Sequence, residues 1–369
     1  MRAVALLLAG LGLLAAPSVA DAAPTPLQSQ LDAALHDGRT STGAPAATAA
    51  VMRCGQLVWS GADGVLDTSS GRPATPSAHF AIASSTKPYT ATLILGLVQH
   101  GKLSLKTRLA RFYPHLPKAK KITIRMLLDH TSGLNDYFDD AHINELIAKH
   151  PDHHWTRSEL LKAVKRTLFK PGTKYSYSNS NYVVLGGIVE KITHRGIERV
   201  FRTRIGDPLG LSSSTFAYHP EQSDLFAHPY LRSGSGLQDQ FAPGIGVPSD
   251  FWGPVWSDGG LAATAEDLAR FGDGLFEGRL LNAKTLKTMA HLDRFGGGLG
   301  LMSSSLAGHK WLGHNGRYAG YETEIWTDRA RRVTFAVATD VSGSSLITWQ
   351  RLVAAYDQNQ ASAPACPAG

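Results

Sequence analysis

Strand-forming segments lie at both ends of this 369-residue chain, with a long, mainly helical stretch between them. Near the start, Ala46 to Arg53 and Gln56 to Ser60 read as two strands joined at Cys54-Gly55, a hairpin signal, and His79 to Ala83 reads as a short apolar strand. Near the end, Leu299 to Met302, Lys310 to Gly313, Glu322 to Trp326 and Val333 to Ala338 give successive strands separated by glycine or charged turns. Apolar spacing predicts helices over Leu27 to Leu35, from near Ser84 to Gly101, over Ser158 to Leu168 and over Tyr182 to Ile192. Thr264 followed by Asp267 has the form of a cap opening a helix through Phe271 to Phe276, and Leu346 to Tyr356 is the closing helix. This distribution predicts an α+β chain, with one antiparallel sheet built from both chain ends, flanked by helices and interrupted by a helical insertion. We expect one domain over 23–360, with its sheet part at about 25–105 and 280–360, its helical part at about 106–279, and a flexible tail at 361–369. A hydrophobic content of 43% is enough for a large core.

The first 22 residues are set apart from that domain. Arg2, the apolar run Ala3 to Ala16, Pro17 and the Ala20-x-Ala22 pattern have the form of a cleavable secretory signal peptide. The run is shorter than the about 20 residues that span a bilayer, and no later stretch is long and apolar enough. The expectation is therefore a secreted or periplasmic protein without stable membrane insertion. Cys54 and Cys366 either pair, as such a compartment allows, or remain two thiols. The net charge of +7 would attract anionic cell-wall polymers or substrates bearing a carboxylate. Its lysines and arginines are scattered, however, and the Lys118, Lys120, Lys121 cluster reads as a solvated loop, with no nucleic-acid motif. His153-His154 lacks partners at ligand spacing, so neither a metal nor another cofactor is implied. The expected state is a monomer acting on a small-molecule or peptide substrate.

Three short phrases carry the chemistry: Ser84-Ser85-Thr86-Lys87, Tyr177-Ser178-Asn179 and His314-Asn315-Gly316. A Ser-x-x-Lys spacing by itself arises about once by chance in a chain of this composition. Its context gives it weight. A strand followed by a helix puts Ser84 at a helix N-terminus, where free N–H groups stabilise negative charge. Pro88 is tolerated only near a helix start, which places Ser84 there independently. The i, i+3 spacing brings Lys87 onto the same face, and a lysine held neutral by burial and positive neighbours can accept a serine proton. A tyrosine hydroxyl near two cations, as expected for Tyr177, can lose or relay a proton, and Asn179 could accept from Lys87 and donate to a substrate carbonyl. Gly316 permits close backbone approach by a ligand on a strand.

In order along the chain, these phrases are joined by Leu127-Leu128-Asp129-His130-Thr131-Ser132-Gly133-Leu134, Gly259-Gly260-Leu261 before Thr264, and Gly320-Tyr321. The set resembles the serine β-lactamase-like family, which contains class C β-lactamases and D-alanyl-D-alanine carboxypeptidases. The resemblance covers about Ala46 to Tyr356 and implies a β-lactamase/DD-peptidase-like fold and a serine hydrolase working through an acyl-enzyme. It implies Ser84 as nucleophile, with Lys87 and Tyr177 moving its proton and Asn179 orienting lysine and substrate. The N–H groups of Ser84 and Arg317 would form the oxyanion hole, and His314, Asn315, Gly316 and Arg317 would line the substrate. His130 reads as a structural residue in a buried turn. One departure bears on substrate. Where class C enzymes carry Lys-Thr-Gly, this chain has His314 and Asn315, which leaves a substrate carboxylate to Asn315, or to Arg317 if its side chain turns inward. The resemblance implies first a penicillin-binding, D-alanyl-D-alanine carboxypeptidase-like activity. An esterase or class C-like β-lactamase is the alternative, and a non-catalytic penicillin-binding-like sensor comes third. The segments 135–155 and 216–256 are expected to wall the cleft.

Overall fold

The computed structural model describes residues 24–149, 153, 155–216, 224–234, 236–241 and 255–366. The leader-like segment and much of the expected cleft wall at 216–256 lie outside them. The first part of the chain supplies strands β1 (Ala46–Arg53), β2 (Gln56–Asp67), β3 (Arg72–Pro73) and β4 (Phe80–Ala81). The middle supplies β5 (Thr215–Phe216), β6 (Tyr230–Ser233), β7 (Gly236–Asp239) and β8 (Leu261–Ala263). The last part supplies β9 (Met302–Leu306), β10 (His309–Tyr318), β11 (Tyr321–Asp328) and β12 (Val333–Thr339). Seven of them form the main sheet in the order β3-β2-β1-β12-β11-β10-β9, every neighbour antiparallel. The joint between the two chain ends is β1 against β12, with Ala47 opposite Thr339 and Arg53 opposite Val333.

Small residues in β1 explain how that joint is covered on both faces. Successive side chains on a strand point to opposite sides. Ala47, Ala49 and Val51 join a core with Leu31, Leu35, Trp326, Phe335 and Trp349, under the packed terminal helices Pro26–Thr42 and Ser345–Asn359. Ala50 and Met52 face the other core, where helix Ala265–Phe276 packs and Tyr89 stacks on Phe271 at 3.4 Å. Methyl groups on β1 let helices approach from both sides. Its N-terminal end is anchored by Asp340, whose carboxylate accepts the Ala46 N–H at 3.0 Å.

Several elements differ from their sequence expectation; the first helix and β2 run on to Thr42 and Asp67. Strand character around His79–Ala83 is confined to Phe80–Ala81, because Ala83 turns to φ +47° and opens a 3-10 turn over Ala83–Thr86. The helix expected over Ser158–Leu168 ends at Lys162. Buried Asn135 captures the following chain, donating to the Ala163 carbonyl and accepting from Lys165 and Arg166 N–H groups. Leu299 and Gly300 are not in a strand, since their amides are tied to Met289 and Leu128 carbonyls. Strand β10 runs well past Gly313 and so takes in the third phrase. Thr264 caps its helix by accepting from the Asp267 N–H, and a disulfide joins Cys54 to Cys366 with Cα atoms 5.4 Å apart.

Candidate active site

The 3-10 turn that carries Ser84 begins at Ala83, in a left-handed conformation that costs an alanine about 1–2 kcal/mol. Helix Lys87–Gln99 continues from it, with Pro88 in its first turn. Lys87 is fully buried. Its Nζ donates to Ser84 Oγ at 2.9 Å, to Asn179 Oδ1 at 2.7 Å and to the Asp258 carbonyl at 2.7 Å. The Tyr177 hydroxyl donates to the same Ser84 Oγ at 2.8 Å. Residues far apart in sequence thus converge on one oxygen.

A surrounding layer holds these groups in orientation. Asn179 opens helix Asn179–Thr193, and both its backbone N–H and its Nδ2 donate to Asp136 Oδ2, at 2.9 and 2.8 Å. That contact fixes the amide so that its oxygen faces Lys87. Asp258 accepts from the Tyr137 hydroxyl and the Trp256 N–H, which aims its own carbonyl at Lys87. His130, at φ +57°, stacks on the Tyr177 ring at 4.4 Å and accepts the Ser178 N–H on Nδ1. Asp136 and Asp258 were missed at the sequence level. Each sits next to a phrase that was recognised, Asp136 just after Gly133-Leu134 and Asp258 just before Gly259-Gly260, so their position was the available signal.

Burial sets the protonation states. It pulls Lys87 down to about 8, although Asp258 and Asp136 both favour the charged form. Burial raises the Tyr177 phenol, and the same two carboxylates raise it further against the hydrogen bond to Ser84. His314 is pushed down to about 3 by burial and by Lys87, so its ring is neutral. The sequence reading placed Tyr177 near two cations. The structure gives it one cation and two carboxylates, so it stays a phenol, and Lys87 is the group able to act as base.

The third phrase lies on β10 against the Ser84 turn. Strand β9 pairs with β10 only as far as Gly313, so the edge of residues 314–318 continues beyond its partner. A Cβ on Gly316 would lie 2.1 Å from the Ile82 carbonyl oxygen, which shows how closely β10 approaches the chain entering Ser84. His314 is buried, with its ring 6.3 Å from that of Tyr177. Asn315 is exposed. The Arg317 guanidinium does not turn inward; it donates to Glu322 Oε1 at 3.0 and 2.5 Å. Elsewhere, His153 faces Glu159 at 3.1 Å, while His154 lies outside the described residues.

A sequence profile of the Beta-lactamase family matches residues 31–357. The chain belongs to the Beta-lactamase family. Among its relatives, it is 25% identical over 316 residues to a D-aminopeptidase of Brucella anthropi, covering 83% of this chain and 58% of that one. It is 27% identical over 190 residues to the teichoic acid D-alanine hydrolase of Staphylococcus aureus, covering 51% and 45%. The chain spans about three-fifths of the length of the first curated relatives it matches. Its fold is that of the D-amino acid amidase from Ochrobactrum anthropi SV3, with a TM-score of 0.79 at 23% identity over 91% of this chain and 100% of that one. No helix among the described residues is long and apolar enough to cross a membrane.

Proposed function

We propose that the chain is a serine hydrolase that cleaves amides or esters of D-amino acids through an acyl-enzyme on Ser84. The observation carrying this reading is a fully buried lysine 2.9 Å from the serine oxygen, which burial pulls down to about 8. In its neutral form Lys87 accepts the Ser84 proton as Oγ attacks the substrate carbonyl. The N–H groups of Ser84 and Arg317 hold the oxyanion, a role in which one donor is typically worth about 3–4 kcal/mol. As the bond to the leaving group breaks, Tyr177 gives its proton to the departing nitrogen or oxygen and recovers one from Lys87. Water then attacks the ester on Ser84 by the same route in reverse, releasing the acid and restoring the serine.

The D-amino acid preference is supported by the D-aminopeptidase and D-alanine hydrolase relatives. A D-alanyl-D-alanine carboxypeptidase stands second. Tyr177-Ser178-Asn179 suits it, but such an enzyme must hold a free carboxylate, and the β10 edge offers neutral His314, exposed Asn315 and an arginine already paired. The cystine and the leader-like first 22 residues support action outside the cytoplasm. Intact mass measurement after incubation with a penicillin or a D-alanine aryl ester tests the central step. An adduct on Ser84 that Ser84→Ala abolishes is expected; no adduct with either reagent at millimolar concentration would overturn it.

A further inference from the structure

Beside Tyr177 and His314 opens a cavity of about 290 Å³ whose polarity is the reverse of a carboxylate site. Among the described residues that line it, Asp129 is the one acidic side chain, its carboxyl raised above the ordinary value by burial, with no lysine or arginine. Its Oδ1 accepts from the Thr131 N–H and hydroxyl, at 3.2 and 2.6 Å, while Oδ2 has no hydrogen bond among the described residues. Tyr175 and Phe295, about two-fifths exposed, form an aromatic lip. Glycines keep the far wall free of side chains; one of them, Gly300 at φ +78°, has no room for a Cβ beside Ala91. Two cations lie near the cavity without lining it: the Arg294 guanidinium sits over one face of the Phe295 ring at 4.7 Å, and Arg125 acts on Asp129 through its charge, as Asp293 does with the opposite sign. Arg294 donates to the Gly172 and Thr173 carbonyls, and Arg125 is exposed on its own helix.

We propose that this cavity receives the leaving group of the substrate and selects one carrying an ammonium over one carrying a carboxylate. The assignment of the end of the substrate rests on the acyl-enzyme reading. Tyr177 Oη, 2.8 Å from Ser84 Oγ, is the donor that the departing atom must meet, and the cavity begins at that same ring. An ammonium seated there would meet the open oxygen of Asp129 and the ring of Tyr175, the combination that recognises organic cations. A carboxylate would lie against Asp129 with no lysine or arginine among the described lining residues to receive it.

Binding separates this from the chemistry. Three D-alanyl anilides, bearing an aminomethyl, a methyl or a carboxyl group on the ring, are titrated calorimetrically into Ser84→Ala. The aminomethyl compound should bind about tenfold more tightly than the methyl one, the size of one charge-assisted hydrogen bond, and the carboxyl compound most weakly. Asp129→Asn keeps the acceptor for Thr131 and removes the charge, and should bring the first two within about threefold. Ser303→Lys, on the exposed rim, should reverse the order and serves if the Asp129→Asn protein does not fold. Equal or tighter binding of the carboxyl compound, no binding of any compound, or a gap untouched by either substitution overturns the proposal. The predicted order in a protein that penicillin and D-alanine ester fail to acylate would instead strike the acyl-enzyme reading, and acylation with the reversed order would strike only this one.

Discussion

The two walls of the candidate cleft are built on opposite principles. On the Ser84 wall, each polar atom is met by another: Lys87 spends three donors on three acceptors, and Asn179, Asp136, Asp258 and Tyr137 close the network behind it. On the β10 wall, the candidate side chains are neutral, exposed or paired away, and what remains is backbone edge, glycine and a small acidic cavity. A satisfied network is rigid and intolerant of single changes, whereas a backbone edge leaves ligand identity to the shape and charge beside it. Under the proposed function, the first wall would determine whether chemistry occurs, and the second on what.

Substitutions should sort along that division. Ser84→Ala or Lys87→Ala should lower acylation and turnover by at least about 10³-fold with the fold intact, measured as adduct formation and kcat/KM. Gly316→Val drives a side chain into the Ile82 carbonyl and should cost about 10²-fold by moving β10 off the Ser84 turn, in kcat more than in KM. Asp136→Asn should cost about tenfold through a loosened Asn179. It also removes a negative charge that favours the lysine ammonium, so the pH–rate midpoint should move down. A midpoint that moved up would break the assignment of Lys87. The smallest effect lies outside both walls. Buried Glu324, near Glu322, titrates at about 8 in the fold against an ordinary carboxylate value of 4.5. The folded state keeps its proton where the unfolded chain loses it, so that stability falls as pH rises between those values. Glu324→Gln should leave activity unchanged and gain about 5 °C in melting temperature over the wild type on going from pH 5 to pH 9.

The sheet was legible because its strands obey local rules. The span Ala46–Arg53 is read correctly to the residue, and the β1–β2 hairpin is marked by Cys54-Gly55. What was not legible depends on distant partners. No local signal ends the helix at Lys162, since the residue that captures the chain there is Asn135. The site behaves the same way. Ser84, Lys87, Tyr177 and Asn179 stand out as an ordered set, whereas Asp136 and Asp258 acquire meaning only once folding has put them around Lys87. The protonation of Tyr177 is likewise a property of burial beside two carboxylates, which spacing does not encode.

The central claim is that a neutral Lys87 activates Ser84. Its direct test is the second-order rate of Ser84 adduct formation in the wild-type protein from pH 5 to pH 10. The rate should rise about tenfold per pH unit and level off with a midpoint near 8, as the lysine loses its proton. A flat profile, or a midpoint near 6.5 as for an unperturbed histidine, would contradict it.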